Sequence, residues 1–141
     1  MTKRKIRHGS KSERFRRAQE RLGRSNAKCL LCIITHPHSL QLHHLAGKDF
    51  DDETGPFCNN HHGRLSDAFK DHPEKIPDCT NPLEGTGHYL LGLAECVLIV
   101  QEDLGPQHQL HEFLGRLDAK LRTFGHQLID IARANPHGGA L

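Results

Sequence analysis

Cys29-Leu-Leu-Cys32, then Leu40-Gln41-Leu42-His43-His44-Leu45-Ala46-Gly47, then Phe57-Cys58-Asn59-Asn60-His61-His62-Gly63-Arg64-Leu65-Ser66 are the segments that decide the fold. Zinc takes four ligands tetrahedrally, and two ligands separated by two residues reach one ion from a single tight turn. Cys29/Cys32 and Cys58/His61 form two such pairs with 25 residues between them. Together they predict a closed structural zinc site of three Cys and one His, with no open position for chemistry. A Cys-x-x-Cys pair also serves redox chemistry, but no βαβ pattern surrounds this one.

Working outward, composition argues for such a staple. The chain has 141 residues, only 35% of them hydrophobic, and no Trp, so one large core is not expected. Small cores are usually supplemented by a disulfide, a metal or a partner subunit. Five Cys is an odd count, and no N-terminal apolar stretch reads as a signal peptide, which disfavours disulfides. Thirteen His favour metal. No run approaches the roughly 18 apolar residues of a membrane span, so the expectation is a soluble, cytoplasmic protein without a membrane partner.

The other histidines of the central block do not belong to the staple. Leu40 to Leu45 alternates as a strand, which sets His43 and His44 on opposite sides and gives them different tasks. Residues 60 to 71 read as a helix with Leu65, Ala68 and Phe69 on its apolar face, capped by Asn59 or Asn60. His61 and His62 then fall in the first turn, where free N–H groups suit a phosphate. Strand, loop and helix bring His43, His44 and His62 toward one place. A plain zinc knuckle with surface histidines is the simpler alternative.

In their order and spacing, the three segments resemble the zinc-stapled HNH endonucleases, whose fold is the ββα-metal motif. The resemblance covers about residues 29 to 70. It implies His43 as a ligand of a catalytic divalent ion such as Mg²⁺ or Mn²⁺, His44 as the general base that activates water, and His62 as the ligand from the helix. It also implies DNA as substrate and products with 5′-phosphate and 3′-hydroxyl ends. His61 stands where the family often has a second Cys. Glu53, beside Asp51, Asp52 and Thr54, stands where the family has its middle Asn. Ser66 occupies the position of a further ligand in some members, so water or Asp67 is left to complete the ion's coordination. Arg64 is placed to steady a phosphate or to lie in solvent.

Flanking segments complete the expected α+β architecture: a small ββα-metal zinc-bound core (29–75), a basic N-terminal arm (1–28), a connector (76–87) and a C-terminal helical hairpin (88–136). The arm holds eleven Lys or Arg against Glu13 and Glu20, a net +9 that leaves −7 on the rest of the chain. This is a footprint of nucleic-acid binding, with Arg14, Arg16, Arg17, Arg21 and Arg24 as candidate contacts, or else of a solvated tail. A polar helix from Ser10 or Ser12 to Leu22 is expected on anion binding. Pro73, Pro77, Pro82, Gly85 and Gly87 mark the connector. His88 to Glu102 is apolar nearly all round, hence a buried helix of fifteen residues.

Leu110, Leu114, Leu117, Leu121, Phe124, Leu128 and Ile131 form a heptad seam that Asn135-Pro136 and Gly138-Gly139 end. The hairpin is expected to pack on the metal block or on a second copy, as a homodimer through 110–131. Cys96 reads as a small buried residue and Cys79 as a free thiol. His36, His38, His72, His88, His108, His111 and His126 have no partner at ligand spacing. Besides the nuclease, the residues allow a non-catalytic zinc module that binds nucleic acid, or an interaction protein with a relic HNH site.

Overall fold

The computed structural model describes residues 9–138. Among them, helix α1 (Lys11–Arg21) leads through a short 3-10 turn (Pro37–Ser39) into strands β1 (Leu40–His44) and β2 (Thr54–Cys58) and helix α2 (Asn59–Ala68). A second 3-10 turn (Phe69–Asp71) precedes two long helices, α3 (Pro82–Leu104) and α4 (His111–Ala134). The chain is α+β: a β-hairpin on a helix beside the Cys/His cluster, then a helix pair. Lys3, Arg4, Lys5 and Arg7 of the expected arm, and Gly139, lie outside the described residues.

The sequence of helix α1 caps its own first turn. Ser10 Oγ accepts from the Glu13 amide (3.2 Å) and Glu13 Oε2 accepts from the Ser10 amide (2.6 Å), a reciprocal capping box. The arm is not detached up to residue 28. Leu22 and Ala27 are buried with Leu40, Phe57 and Leu65, and Arg21 donates to the Leu40 carbonyl at 2.9 Å.

The hairpin is antiparallel, pairing Leu40 with Cys58, His43 with Gly55 and His44 with Thr54. Leu40, Phe57 and Leu65 are fully buried beneath it. Each is worth about 1.5–3 kcal/mol by removal from water. The Cys29–Cys32 turn lies along β2, with the Leu30 amide donating to the Pro56 carbonyl at 3.0 Å.

Helix α3 starts at Pro82, not at His88, so the expected connector is shorter than 76–87. Pro costs nothing in a first helical turn, and Asn81 Oδ1 caps it by accepting from the Leu83 amide at 3.0 Å. Gly87 is a contact point and breaks nothing: a Cβ there would lie 2.6 Å from the Gly125 carbonyl oxygen, and one at Gly125 2.9 Å from that of Gly87. Two helices approach this closely only where neither bears a side chain.

The close contact also moves the α4 seam. The residues α4 buries are Gly125, Ile129 and Ala132, while Leu110, Phe124 and Ile131 are 46%, 56% and 43% exposed. The small-residue face sets the phase, and three of the seven residues of the heptad stripe turn outward. At 23 residues α3 is long and apolar enough to span a membrane on those two measures, unlike the fifteen-residue helix expected. It buries Glu84, His88 and Glu95 and packs on α4, on α2 and on the Leu45 backbone just past β1.

Buried polar groups join the helices to the block. Glu95 accepts from Arg122 (2.7 Å) and pairs with His72 Nε2 (3.1 Å), and Arg122 also reaches Asp118 (2.8 Å). The His72 hydrogen bond, opposed by burial and helped by Arg122, holds the Glu95 carboxyl down at about 2. His72 therefore has a partner that spacing did not reveal. His88 is 1% exposed, its ring stacked on Phe50 at 3.8 Å, its Nε2 without a hydrogen-bond partner. Burial first, then the charges of His72 and His126 against that of Glu84, push it down to about 4.

A neutral His88 gives a signed expectation. Its folded pKa lies below its unfolded value of about 6.5, so the unfolded chain binds the extra proton and stability falls as pH drops from about 6.5 toward 4. Between pH 7.5 and 5 denaturant titrations should lose about 2 kcal/mol through this residue, and His88→Leu should remove that part of the slope. At Gly92, a Cβ would overlap the Leu45 carbonyl, where α3 rests on the end of β1. Gly92→Ala should cost about 3 kcal/mol or more, measured by urea unfolding.

Candidate metal centre and adjoining histidine cleft

Two adjacent arrangements of side chains grow from the junction of β2 and α2. In the first, Cys29, Cys32, Cys58 and His61 place their donor atoms within 4.8 Å of one another. Cys32 Sγ and Cys58 Sγ are 3.8 Å apart, and His61 Nδ1 lies 3.4 Å from Cys29 Sγ and 3.3 Å from Cys58 Sγ. A tetrahedral ion with Zn–S of about 2.3 Å and Zn–N of about 2.05 Å requires edges of about 3.8 and 3.5 Å. The four residues cluster as if for a zinc-like ion. All five cysteines are free thiols, and 3.8 Å is far from the ~2.05 Å of a disulfide.

Local chemistry prepares these donors. The Cys29 amide donates to the Ile34 carbonyl (2.9 Å), closing the turn, and the Leu31 amide points at Cys29 Sγ (3.4 Å). Cys58 is the N-cap of α2, its sulfur accepting from the His61 amide at 3.5 Å. The cap is therefore a candidate metal ligand, not Asn59 or Asn60, and Asn59 instead accepts from Gln41 at 2.8 Å. A thiolate suits the positive end of a helix, and it takes the place where a phosphate was expected. Burial raises the Cys29 thiol, but the Cys58 amide, the His61 ring and the Leu31 amide outweigh it and bring it down to about 6. Cys32 is pushed up to about 11 by burial and by its two neighbouring thiols.

His61 turns its other nitrogen away from the sulfurs. Nε2 lies 2.8 Å from Asp103 Oδ2, while Asp103 Oδ1 accepts from Arg64 (2.6 Å) and Glu102 accepts from the same guanidinium (2.7 Å). A carboxylate behind a ligating imidazole fixes its tautomer and raises its basicity. Arg64 is thus tied to the two carboxylates at the end of α3. Asp103 carries no sequence signal: it lies 42 residues from His61 and has no ligand spacing.

The second arrangement is the cleft beside it. Consecutive residues on a helix point about 100° apart, so where His61 faces sulfur, His62 faces the strand. The His43 and His62 ring centroids are 5.2 Å apart, nearly perpendicular, with Phe57 and Phe69 walling His43 at 6.0 and 4.7 Å. His43 Nε2 is buried and has no hydrogen-bond partner. Burial, then the charges of His62 and His44, bring His43 down to about 4. An unprotonated imidazole is the form that ligates a metal. His44, half-buried at the loop end of the hairpin, is near enough to act electrostatically on His43.

Asp67, considered as a completing ligand, and Glu53, in the place of the middle Asn, have other partners. Asp67 is 80% exposed and pairs with Lys70 at 3.1 Å. Glu53 accepts from the Tyr89 hydroxyl (3.4 Å), and its backbone carbonyl accepts from the Leu45 amide (3.3 Å). Among the basic candidates, Arg16 pairs with Glu20, Arg21 binds the Leu40 carbonyl and Arg14 the Gly9 carbonyl (2.6 Å), while Arg17 and Arg24 are exposed. Cys96 packs against the core, with burial pushing its thiol up to about 11. Compared with protein-family models, curated proteins and solved structures, the chain matches none of them.

Metal analysis of the purified protein should find one tightly held zinc per chain, and a strong chelator should abolish the cooperative unfolding transition. Asp103→Asn should weaken the ion's retention about 10–100-fold in a competitive chelation assay, because the His61 tautomer loses its anchor.

Proposed function

We propose that this protein is a metal-dependent nuclease of the HNH type that hydrolyses phosphodiester bonds in DNA, with a structural zinc in the Cys29, Cys32, Cys58, His61 cage. The observation that carries this reading is the buried, unpartnered Nε2 of His43, whose ring lies 5.2 Å from the His62 ring beside that cage. A buried nitrogen without a partner costs free energy, and a bound ion would repay it. His43 and His62 would hold a divalent ion such as Mg²⁺ or Mn²⁺, which on binding supplies charge to the scissile phosphate and the departing 3′ oxygen.

The chain's own residues do the remainder. The His44 imidazole, in its neutral form, takes a proton from water as the water oxygen attacks phosphorus. The bond from phosphorus to the 3′ oxygen breaks and that oxygen takes a proton from solvent water, leaving 5′-phosphate and 3′-hydroxyl ends. With two protein donors in the cleft, most of the ion's coordination is left to water and the phosphate, as a hard divalent cation tolerates. The cationic side chains of α1 supply affinity for the phosphate backbone. The outward stripe of Leu110, Phe113, Phe124 and Ile131 fits a second copy of the chain through 110–131.

A second reading, a zinc module that binds nucleic acid without cutting it, is favoured by one observation: Asp67 and Glu53 are both engaged outside the cleft. Plasmid cleavage with Mg²⁺, Mn²⁺, Ni²⁺ or Zn²⁺ separates the two. His44→Ala should cut at least about 100-fold more slowly while keeping its zinc and its affinity for DNA. A wild-type protein that cuts with none of these ions supports the binding module.

A further inference from the structure

Helix α1 and the turn ahead of β1 enclose an aromatic cavity that plays no part in either metal arrangement. Phe15, 38% exposed, meets His36 and His38 edge-on at 5.6 and 6.4 Å, and the two imidazoles lie 5.4 Å apart at 30°. With Ser10, Lys11 and Ser12 they line a cavity of about 670 Å³, open to solvent. Its wall is braced: His36 Nδ1 accepts from the His38 amide (3.3 Å), Pro37 is buried, and Arg21 donates to the Leu40 carbonyl (2.9 Å) and the Pro37 carbonyl (3.4 Å).

The surroundings are cationic. Lys11, Arg14, Arg16 and Arg17 lie on the same helix, and both of its acids are committed, Glu13 to the Ser10 cap and Glu20 to Arg16. Flat apolar walls inside a basic rim call for an occupant that is planar and aromatic and carries negative charge alongside. A nucleobase between its phosphates meets both demands, and it can enter only when unpaired, since a duplex keeps its base faces stacked.

We infer that the Phe15, His36 and His38 cavity binds an unpaired base of single-stranded nucleic acid, stacked on Phe15, with an adjoining phosphate on Lys11, which lines the same cavity. The cavity opens at the Leu40 end of β1, about 13 Å along the strand from His44. It is thus set to hold a strand whose continuation runs toward the histidine cleft. The inference rests on the nucleic-acid half of the proposed function and is independent of the hydrolytic half.

The chain has no Trp, so Phe15→Trp installs a single indole emitter in the full-length protein. A labelled oligothymidine of about 12 nucleotides and a hairpin duplex of equal charge are the probes, titrated at about 0.15 M salt. Stacking predicts quenching of the indole emission by the single strand and little by the duplex. Phe15→Ala should bind the single strand about tenfold more weakly than wild type, with duplex affinity within about twofold and the salt slope unchanged. Retained zinc and circular dichroism exclude misfolding, to which this exposed ring should not contribute. Equal weakening toward both probes, or no change toward either, overturns the cavity assignment while leaving duplex binding intact. A wild-type protein that binds neither probe overturns the nucleic-acid reading and the cavity with it.

Discussion

Cys58 ends β2, caps α2 and contributes one of the four donors of the candidate metal cage. Strand register, helix phase and metal geometry are therefore coupled at one residue. Once its sulfur is held against Cys32 and His61, the pairing of Leu40 with Cys58 places His43 opposite Gly55. The helix phase that sends His61 to the sulfurs sends His62 the other way, toward His43. The cleft is a geometric consequence of the cage, and a chain with so little apolar surface has few other means of holding five-residue strands in register. Structural zinc contributes about 10–16 kcal/mol of apparent binding free energy in small peptides, more than the stability of most domains.

The helix pair does more than add mass to this unit. Helix α3 crosses the end of β1 so closely that Gly92 abuts the Leu45 carbonyl, and its last turn puts Asp103 behind His61. Its middle supplies Glu95 to His72, whose ring stacks on Phe69 at 4.5 Å, and Phe69 in turn walls His43. The helix pair thus braces the cage through the half-exposed Asp103 and the cleft through the buried His72–Glu95 pair. Removing one member of such a contact strands its partner in a low dielectric, which makes these links costly to break.

Much of this was legible because its signals are local. The two x-x spacings of Cys29/Cys32 and Cys58/His61 identify the cage, and the alternation of Leu40 to His44 identifies the strand. The apolar run through α3 marks a buried helix. The misplaced features share a cause. Pro82, Gly85 and Gly87 read as breakers by local propensity, yet a capped first turn and a glycine-to-glycine helix contact keep them helical. The α4 seam was sought among large apolar residues, whereas the helix is docked by Gly125, Ile129 and Ala132. Periodicity counts side chains that bury area and is blind to those that matter by being absent.

Donor types, their spacing and their order along the chain were written into the sequence, because a tetrahedral ion and a two-stranded hairpin constrain residues only a few positions apart. Partners drawn from distant segments were decided only in three dimensions: Asp103 behind His61, Arg64 paired with Glu102 and Asp103, Phe15 set against His36 and His38. Those contacts depend on how whole helices are docked. Docking angle and phase follow from the summed packing of a face, and no short motif encodes that sum.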